Sequence, residues 1–233
     1  MFAVDHAATA LLLKRKYPAV PIAPLLVAVQ AMELAWVLFN FLGIERTTTE
    51  HAVRSVADIH LAYMPYSHSV VTAGGAAVLA WLAIEFGVGR AALGRAVGLG
   101  IASHLVLDLV THAHDVALGP GLAAPRFGLG LYGSAPLVAF AIEVAYGLAC
   151  WRIYRGGVGL LALVVLGNLA NLTLFSAAVP GPETLLAGRP MLVVGFVLAQ
   201  IVVTLTLVGV LSRPRLSERS PHTGLVAARQ RSS

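Results

Sequence analysis

Residues 191–211 of the chain have the sequence MLVVGFVLAQIVVTLTLVGVL, an apolar run without a single charged side chain. A membrane-spanning helix needs about 20 predominantly apolar residues, so this run is long enough to cross a bilayer as one helix. It lacks the alternation of apolar and polar residues over about ten residues that marks the strands of a membrane β-barrel. The run therefore predicts a transmembrane α-helix.

Five further stretches have the same character and extend the prediction to the whole chain: residues 18–44, 67–87, 91–111, 134–154 and 158–179. The composition agrees, because 58% of the 233 residues are hydrophobic and only 12% are charged, whereas a soluble domain has about 25% charged residues. We expect an all-α, polytopic integral membrane protein with about six transmembrane helices. Residues 1–13 are apolar but too short to cross, and we expect them to form an N-terminal half-helix that dips into the bilayer.

The distribution of lysine and arginine predicts the orientation of these helices. Of the 16 basic residues, 12 fall in alternate segments at residues 14–16, 90–95, 152–155 and 213–233, and the opposite segments contain the other four. Loops rich in lysine and arginine stay in the cytoplasm, so both termini are expected on that side. The net charge of +5 follows from this pattern and does not indicate nucleic-acid binding.

The chain is expected to form one membrane-embedded helical domain over residues 1–212. Residues 213–233, rich in Arg, Ser and Pro, are expected to be a disordered cytoplasmic tail. Between the first two spans, Thr47-x-x-Glu50 matches a capping box, which predicts a short helix on the outer surface within residues 45–66. The single cysteine, Cys150, excludes an intrachain disulfide.

Ionisable side chains in the third predicted span are the main functional signal. His104, Asp108 and His112 are four residues apart, which places them on one face of a helix. A charged side chain at the bilayer centre costs about 2.5–3.5 kcal/mol on insertion scales, so such residues usually mark function. Two imidazoles and one carboxylate are ligands that a divalent cation such as zinc accepts. The alternative is a hydrogen-bonded polar stripe inside the bundle.

Three residues elsewhere in the chain are candidates for the same site. His68 stands at the outer end of the second span and is expected beside Asp108 and His112, because consecutive spans joined by a short loop pack side by side. Glu33 is a lone carboxylate in the first span and needs either a cation or a proton as its partner. His6 is a further candidate ligand, with a simple interfacial histidine as the alternative.

Two motifs among these residues resemble a bacterial family of membrane-bound metal-dependent hydrolases. They are Tyr63-Met64-Pro65-Tyr66-Ser67-His68-Ser69 and Ser103-His104-x-x-x-Asp108-x-x-x-His112-x-x-Asp115. The stretch Phe127–Tyr132 and the later Glu143 are similar as well, so the resemblance covers roughly residues 1–155. It implies an all-helical fold, a distant relation to zinc phospholipase C and similar phosphoesterases, and a location in the bacterial inner membrane.

The resemblance also implies a metal site built from histidines and aspartates. The family's early histidine falls on His6, its His-Ser motif on His68-Ser69, and its helix motif on His104 and Asp108. The acidic motif of the family is not conserved in this chain: many members have Pro-Asp-x-Asp after the first apolar run. This chain has Gln30-Ala31-Met32-Glu33-Leu34 there, and one carboxylate replaces two.

Two functions of different classes remain open. The first is a metal-dependent hydrolase of a phosphoester or lipid-like substrate at the outer leaflet, with Glu33 or Asp115 as general base. Its candidate metal ligands, with zinc the first choice of metal, are His68, His104, Asp108, His6 and His112. The second is a non-enzymatic membrane protein, either a small transporter or a proton or cation relay. The two halves of the chain show no internal repeat, and the polar residues gather at one end, which favours a site over a pathway.

Overall fold

A computed structural model describes residues 1–121, 124–176, 178 and 181–212. This part of the chain is mostly helical, with α1 (Ala3–Lys16), α2 (Ile22–Val29), α3 (Ala31–Phe41), α4 (Val70–Leu82), α5 (Ala91–Thr111), α6 (Leu131–Ser134), α7 (Pro136–Tyr154), α8 (Val158–Leu169) and α9 (Pro190–Leu211). Two antiparallel ribbons pair β1 (Arg46–Thr49) with β2 (Ile59–Tyr63) and β3 (Val116–Ala117) with β4 (Arg126–Phe127). The expected cytoplasmic tail, residues 213–233, lies outside the described residues.

Several helices are long and apolar enough to span a membrane. Four meet this condition singly: α5, α7, α9 and the segment Val70–Gly87, in which α4 continues into one π-helical turn. The pair α2 and α3 meets it as one broken span with a bend of 54°. The described helices therefore supply four spans, or five with the bent pair, and the six expected spans are not confirmed.

The predicted fifth span, residues 158–179, is helical only from Val158 to Leu169, and a 3-10 turn follows over Leu172–Phe175. The side-chain amides of Asn168 and Asn171 donate to carbonyls four residues earlier in the chain, at 2.9 Å in both cases. Such local bonds compete with the backbone ladder of a helix. The apolar run is thus longer than the helix that it forms.

The bend between α2 and α3 lies at Gln30, whose backbone (φ −111°, ψ 4°) leaves the helical region. In a continuous helix, the Val29 carbonyl would accept the N–H of Glu33. Here it accepts a hydrogen bond from His104 Nδ1 at 3.0 Å. The buried Gln30 amide donates to the Ala3 carbonyl at 2.9 Å. A side chain that enters the hydrogen-bond ladder is a known cause of kinks, so contacts with α5 and α1 explain the bend.

Residues 45–66 form a β-hairpin, and the expected surface helix is absent. Three consecutive threonines in β1 are β-branched and favour a strand. The Thr47 hydroxyl donates to Asn40 Oδ1 at 2.9 Å and caps no helix. The capping box in this region lies instead at Ser55 and Asp58, where it starts the 3-10 turn Val56–Asp58.

α1 lies at the centre of the bundle and packs against α2, α5, α7, α8 and α9. With 14 residues it is too short to cross a membrane. Its second half belongs to an apolar cluster that includes Leu11, Leu25, Leu160 and Val208. Its first turn contains the buried Asp5 and His6, and it therefore brings ionisable groups towards α5.

α4 and α5 form a tightly packed antiparallel hairpin. A Cβ atom at Gly98 would lie 2.9 Å from the Ala77 carbonyl oxygen, and one at Gly94 would lie 2.7 Å from that of Trp81. Only glycine allows two helix backbones to approach this closely. The hairpin therefore sets the start of α4, with His68 just before it, beside the end of α5.

Candidate metal centre

Four ionisable side chains converge where α3, α4 and α5 meet: Glu33, His68, His104 and Asp108. One ligand atom from each lies within 4.8 Å of the others. Glu33 stands in the first turn of α3 and His68 precedes the N-cap of α4, while His104 and Asp108 are one turn apart on α5. Three of the side chains are almost fully buried, whereas that of Glu33 is 21% exposed. We call these four residues the cluster.

Four of the six distances among the ligand atoms of the cluster are close to those expected for a small metal site. His104 Nε2 lies 3.1 Å from Asp108 Oδ2 and 3.4 Å from Glu33 Oε2. His68 Nε2 lies 3.5 Å and 3.3 Å from the same two oxygens. A tetrahedral zinc ion with bonds of about 2.0–2.1 Å holds its ligand atoms about 3.3–3.4 Å apart. The four measured distances scatter around that value.

Hydrogen bonds determine which nitrogen of each cluster histidine carries the lone pair. His68 Nδ1 lies 2.8 Å from Ser67 Oγ, and that hydroxyl donates to Glu45 Oε2 at 2.5 Å. Nδ1 of His68 is therefore the donor to Ser67. Nδ1 of His104 faces the Val29 carbonyl at 3.0 Å, which can only accept. In each neutral imidazole, Nε2 is consequently the unprotonated nitrogen.

With both imidazoles neutral, as a metal ligand must be, lone pairs face one another at the centre of the cluster. The Nε2 atoms of His68 and His104 and the Oδ2 atom of Asp108 are buried without a hydrogen-bond partner among the described residues. A buried polar atom without a partner costs about 1–3 kcal/mol. A cation placed among these atoms removes that cost. The cluster could therefore hold a metal ion.

The other predicted ligands lie around the second carboxylate oxygen, Asp108 Oδ1, and outside the cluster. His6 Nε2 lies 3.2 Å from this oxygen and His112 Nε2 lies 3.7 Å from it. The amino group of Met1 donates to it at 2.8 Å. His112 Nδ1 is 3.5 Å from Asp115 Oδ1. Burial opposes a charge on His112, but the carboxylates of Asp108 and Asp115 outweigh it and raise the pKa of His112.

A second set of buried polar groups lies next to the cluster. Glu143 Oε1 accepts a hydrogen bond from the Tyr132 hydroxyl at 2.6 Å, and its Oε2 accepts one from the Phe2 N–H at 3.2 Å. Burial and the charge of Glu143 raise the pKa of Tyr132 well above its ordinary value, so the phenol stays a donor. Asp5 accepts from the Asn168 amide at 3.4 Å. Glu143 is therefore held by hydrogen bonds from Tyr132 and Phe2.

The segment Phe127–Tyr132 caps the end of α5 and contributes Gly130 and Tyr132 to the wall of a neighbouring cavity. Two of its backbone N–H groups donate to the carbonyls of Leu109 and His112, at 2.9 and 2.7 Å, which satisfies acceptors that a helix end leaves free. Gly128 has a φ of +139°. A Cβ there would collide with the Ala113 carbonyl, so only glycine fits.

A cavity of about 500 Å³ opens beside the cluster. Of the four cluster residues, Glu33 lies on its wall. The wall also contains polar residues at its mouth and apolar residues from α3 and α9, among them His112, Asp115, Arg126, Trp36, Val193 and Phe196. Glu33 is therefore the cluster residue that a molecule in the cavity would meet.

The sequence did not single out the two residues that orient His68. Ser67 is part of the quoted motif, directly before His68, but its hydroxyl has no obvious role there. Glu45 lies 22 residues earlier in the chain and also accepts the N–H groups of Tyr66 and Ser67, at 2.9 and 2.8 Å. In the sequence, Glu45 stands out only as a carboxylate directly after the apolar run 18–44, which does not indicate a contact with Ser67.

The fold and the site define a class: a helical bundle with helices able to span a membrane and a buried cluster that could hold a metal ion. Comparison with family models, curated proteins and solved structures gave no match to the chain. The resemblance to membrane-bound metal-dependent hydrolases stays a prediction from the sequence motifs.

Proposed function

We propose that this chain is a membrane-embedded, metal-dependent hydrolase of the bacterial inner membrane, acting on a phosphoester or lipid-like substrate from the outer leaflet. The observation that carries the proposal is the cluster. Two Nε2 lone pairs, oriented by Ser67 and Val29, face two carboxylate oxygens at 3.1–3.5 Å. Histidine nitrogen and carboxylate oxygen are ligands that zinc accepts. The phosphoester class follows only from the resemblance.

Exposure divides the cluster into two roles. His68, His104 and Asp108 are 1–2% exposed and would hold the ion. Catalytic zinc sites have three protein ligands and one open position; Glu33 Oε2 lies nearest to that fourth position here and would leave it to a water when Glu33 acts as the base. A bound divalent cation supplies a Lewis acid and lowers the pKa of water to about 7.

The general base is then the carboxylate that reaches the cavity. Glu33 lines the cavity and lies within 3.4 Å of both cluster histidines, so it is placed to take a proton from an attacking water. Asp115 lies at the mouth of the same cavity, against His112. It is the second carboxylate that could move a proton between the site and bulk water.

A proton or cation relay is the alternative function, and the packing of α1 argues against it. Polar groups extend from the partly exposed Asp115 past the buried Asp108 to the buried Asp5 and Asn168. Beyond them, the second half of α1 is enclosed by the apolar cluster around Leu11. A relay needs polar side chains or water across the whole membrane, and the described residues supply them on one side only.

Elemental analysis of the purified full-length chain tests the metal. We expect about one zinc ion per chain, lost in His104→Ala. Ser103→Ala is the matched control, because the Ser103 hydroxyl bonds to the Gly100 carbonyl of its own helix at 2.7 Å. Protein that contains no metal and gains no thermal stability from added zinc would show that the cluster is only a polar core.

Turnover tests the hydrolase. The protein is incubated with a panel of phospholipids and phosphomonoesters, with zinc or manganese and with a chelator. Glu33→Gln should lower turnover by about 10²–10⁴-fold, the usual contribution of a general base. If metal is bound and no substrate is turned over above the His104→Ala background, the hydrolase proposal is refuted and the metal is structural.

A further inference from the structure

The charged side chains on the cavity wall are paired, with one exception. Asp115 lies against His112 at 3.5 Å. His60 lies against Glu50 at 2.8 Å. Arg126 also lines the cavity, its side chain is exposed, and none of the ion pairs among the described residues includes it. Among the described residues, the guanidinium of Arg126 is therefore the charged group on the cavity wall that has no ionic partner.

A second cavity, of about 290 Å³, adjoins the first and extends it along α9. The two share Phe196 and Gln200 on their walls. The second is lined mainly by small and apolar residues of α1, α8 and α9: Val4, Leu163, Gly167, Ala199 and Val203. We call the two cavities together the α9 groove. The only long polar side chain shared by both, Gln200, is itself satisfied, since it donates to Asn171 Oδ1 at 2.7 Å.

The length and exposure of the α9 groove suit a lipid chain. Its wall follows α9 from Val193 to Thr204, a rise of about 16 Å. One leaflet of a bilayer's hydrocarbon core is about 15 Å thick. Phe196 and Val203 are 39% and 57% exposed on this side of α9, so the groove opens towards the surrounding lipid rather than into the bundle.

We propose that the α9 groove binds the acyl chain of an anionic lipid whose phosphate head group is held by Arg126, on the wall of the cavity that Glu33 also lines. Charge complementarity selects the head group, because Arg126 is the cation on the wall that has no ionic partner within the described part of the chain, and a guanidinium binds phosphate through paired N–H donors. The apolar wall along α9 favours a lipid over free phosphate, because it would contact an acyl chain that free phosphate lacks. The proposal names the substrate class of the proposed hydrolase. It rests on that function only for the hydrolysis that would follow, because lipid binding itself needs no catalysis.

Calorimetric titration of the full-length chain in phosphatidylcholine nanodiscs measures this binding, with empty nanodiscs subtracted. The probe is palmitoyl lysophosphatidic acid, compared with monopalmitoylglycerol, which lacks the phosphate, and with inorganic phosphate, which lacks the chain. A chelator is present throughout, so binding is measured independently of any metal. We expect lysophosphatidic acid to bind more tightly than either of the other two.

Two variants separate the head group from the chain. Arg126→Gln should weaken lysophosphatidic acid binding by about tenfold, the value of one charge-assisted contact, and leave monopalmitoylglycerol unchanged. Ala199→Phe, which fills the groove, should weaken both chain-bearing ligands. The matched controls are Arg54→Gln, an exposed arginine outside the groove, and Val202→Phe, which is 55% exposed on the same helix but does not line it.

Each outcome decides the proposal. Binding that depends on Arg126 and Ala199 supports it, even if the metal and turnover experiments fail. The proposal is overturned if Arg126→Gln binds lysophosphatidic acid as the parent does, or if Ala199→Phe behaves like Val202→Phe. Inorganic phosphate that binds as tightly as the lipid would also overturn it, because the site would then recognise a head group alone.

Discussion

Replacing Ser67 with alanine should lower the affinity of the cluster for a divalent cation by about 10–100-fold. The Ser67 hydroxyl accepts the hydrogen bond of His68 Nδ1 at 2.8 Å and donates one of its own to Glu45 Oε2 at 2.5 Å. Both Ser67 and Glu45 are buried, at 1% and 3% exposure, so water does not replace the lost partner. A hydrogen bond to a charged group contributes about 1.5–3 kcal/mol, which corresponds to a loss of roughly 10–150-fold in affinity and includes the expected range.

The assay is competition for zinc between the purified protein and a chromophoric chelator, in parent and variant. Ser103→Ala serves as the control, since it removes a hydroxyl next to the other histidine ligand without touching the cluster. The thermal stability of the metal-free protein is measured alongside, to separate a folding defect from weaker binding. If Ser67→Ala binds zinc as tightly as the parent does, while His104→Ala does not, the hydrogen bond from His68 Nδ1 to Ser67 does not contribute to zinc affinity and the prediction is refuted.

Two further predictions concern the bundle. Gly98→Ala should destabilise the protein by about 1–3 kcal/mol, because the new Cβ would lie 2.9 Å from the Ala77 carbonyl oxygen. Gly74→Ala is the control: a Cβ there has nothing within 4 Å, so the change should be neutral or stabilising by up to about 1 kcal/mol. Denaturant unfolding in detergent measures the free energy of unfolding of both variants. Reporters fused after Arg90 or Arg155 should report the cytoplasm and reporters in the β1–β2 turn the outside, because 12 of the 16 basic residues lie in one set of segments. Termini on opposite sides of the membrane would contradict this topology.

The sequence located helices well where an apolar run had charged or turn-forming neighbours. The predicted spans 91–111 and 191–211 correspond closely to Ala91–Thr111 and Pro190–Leu211. It failed where tertiary contacts override local pattern. The bend at Gln30 depends on a side chain of α5, and the hairpin at residues 45–66 depends on strand pairing, neither of which leaves a periodic signal.

The candidate site was predictable to the extent that it lies within one helix. His104 and Asp108 share a face of α5, as their spacing of four residues predicts. His112 has the same spacing but follows the last helical residue, Thr111, with an extended backbone (φ −65°, ψ 154°), so it lies near the other oxygen of Asp108. The partners that orient the ligands, Val29 and Ser67, could not be found from local pattern, because only packing brings them together.

The bend at Gln30 links the shape of a span to the chemistry of a ligand. A straight helix would return the Val29 oxygen to the N–H of Glu33 and remove the acceptor of His104 Nδ1. Linkage is reciprocal, so a bound ion favours the bent span. Any force that straightens the span should therefore lower the affinity of the cluster for the ion. Bilayer thickness is such a force, because a thicker hydrocarbon core favours a longer, straighter helix. Metal occupancy of this bundle should therefore differ between thin and thick membranes.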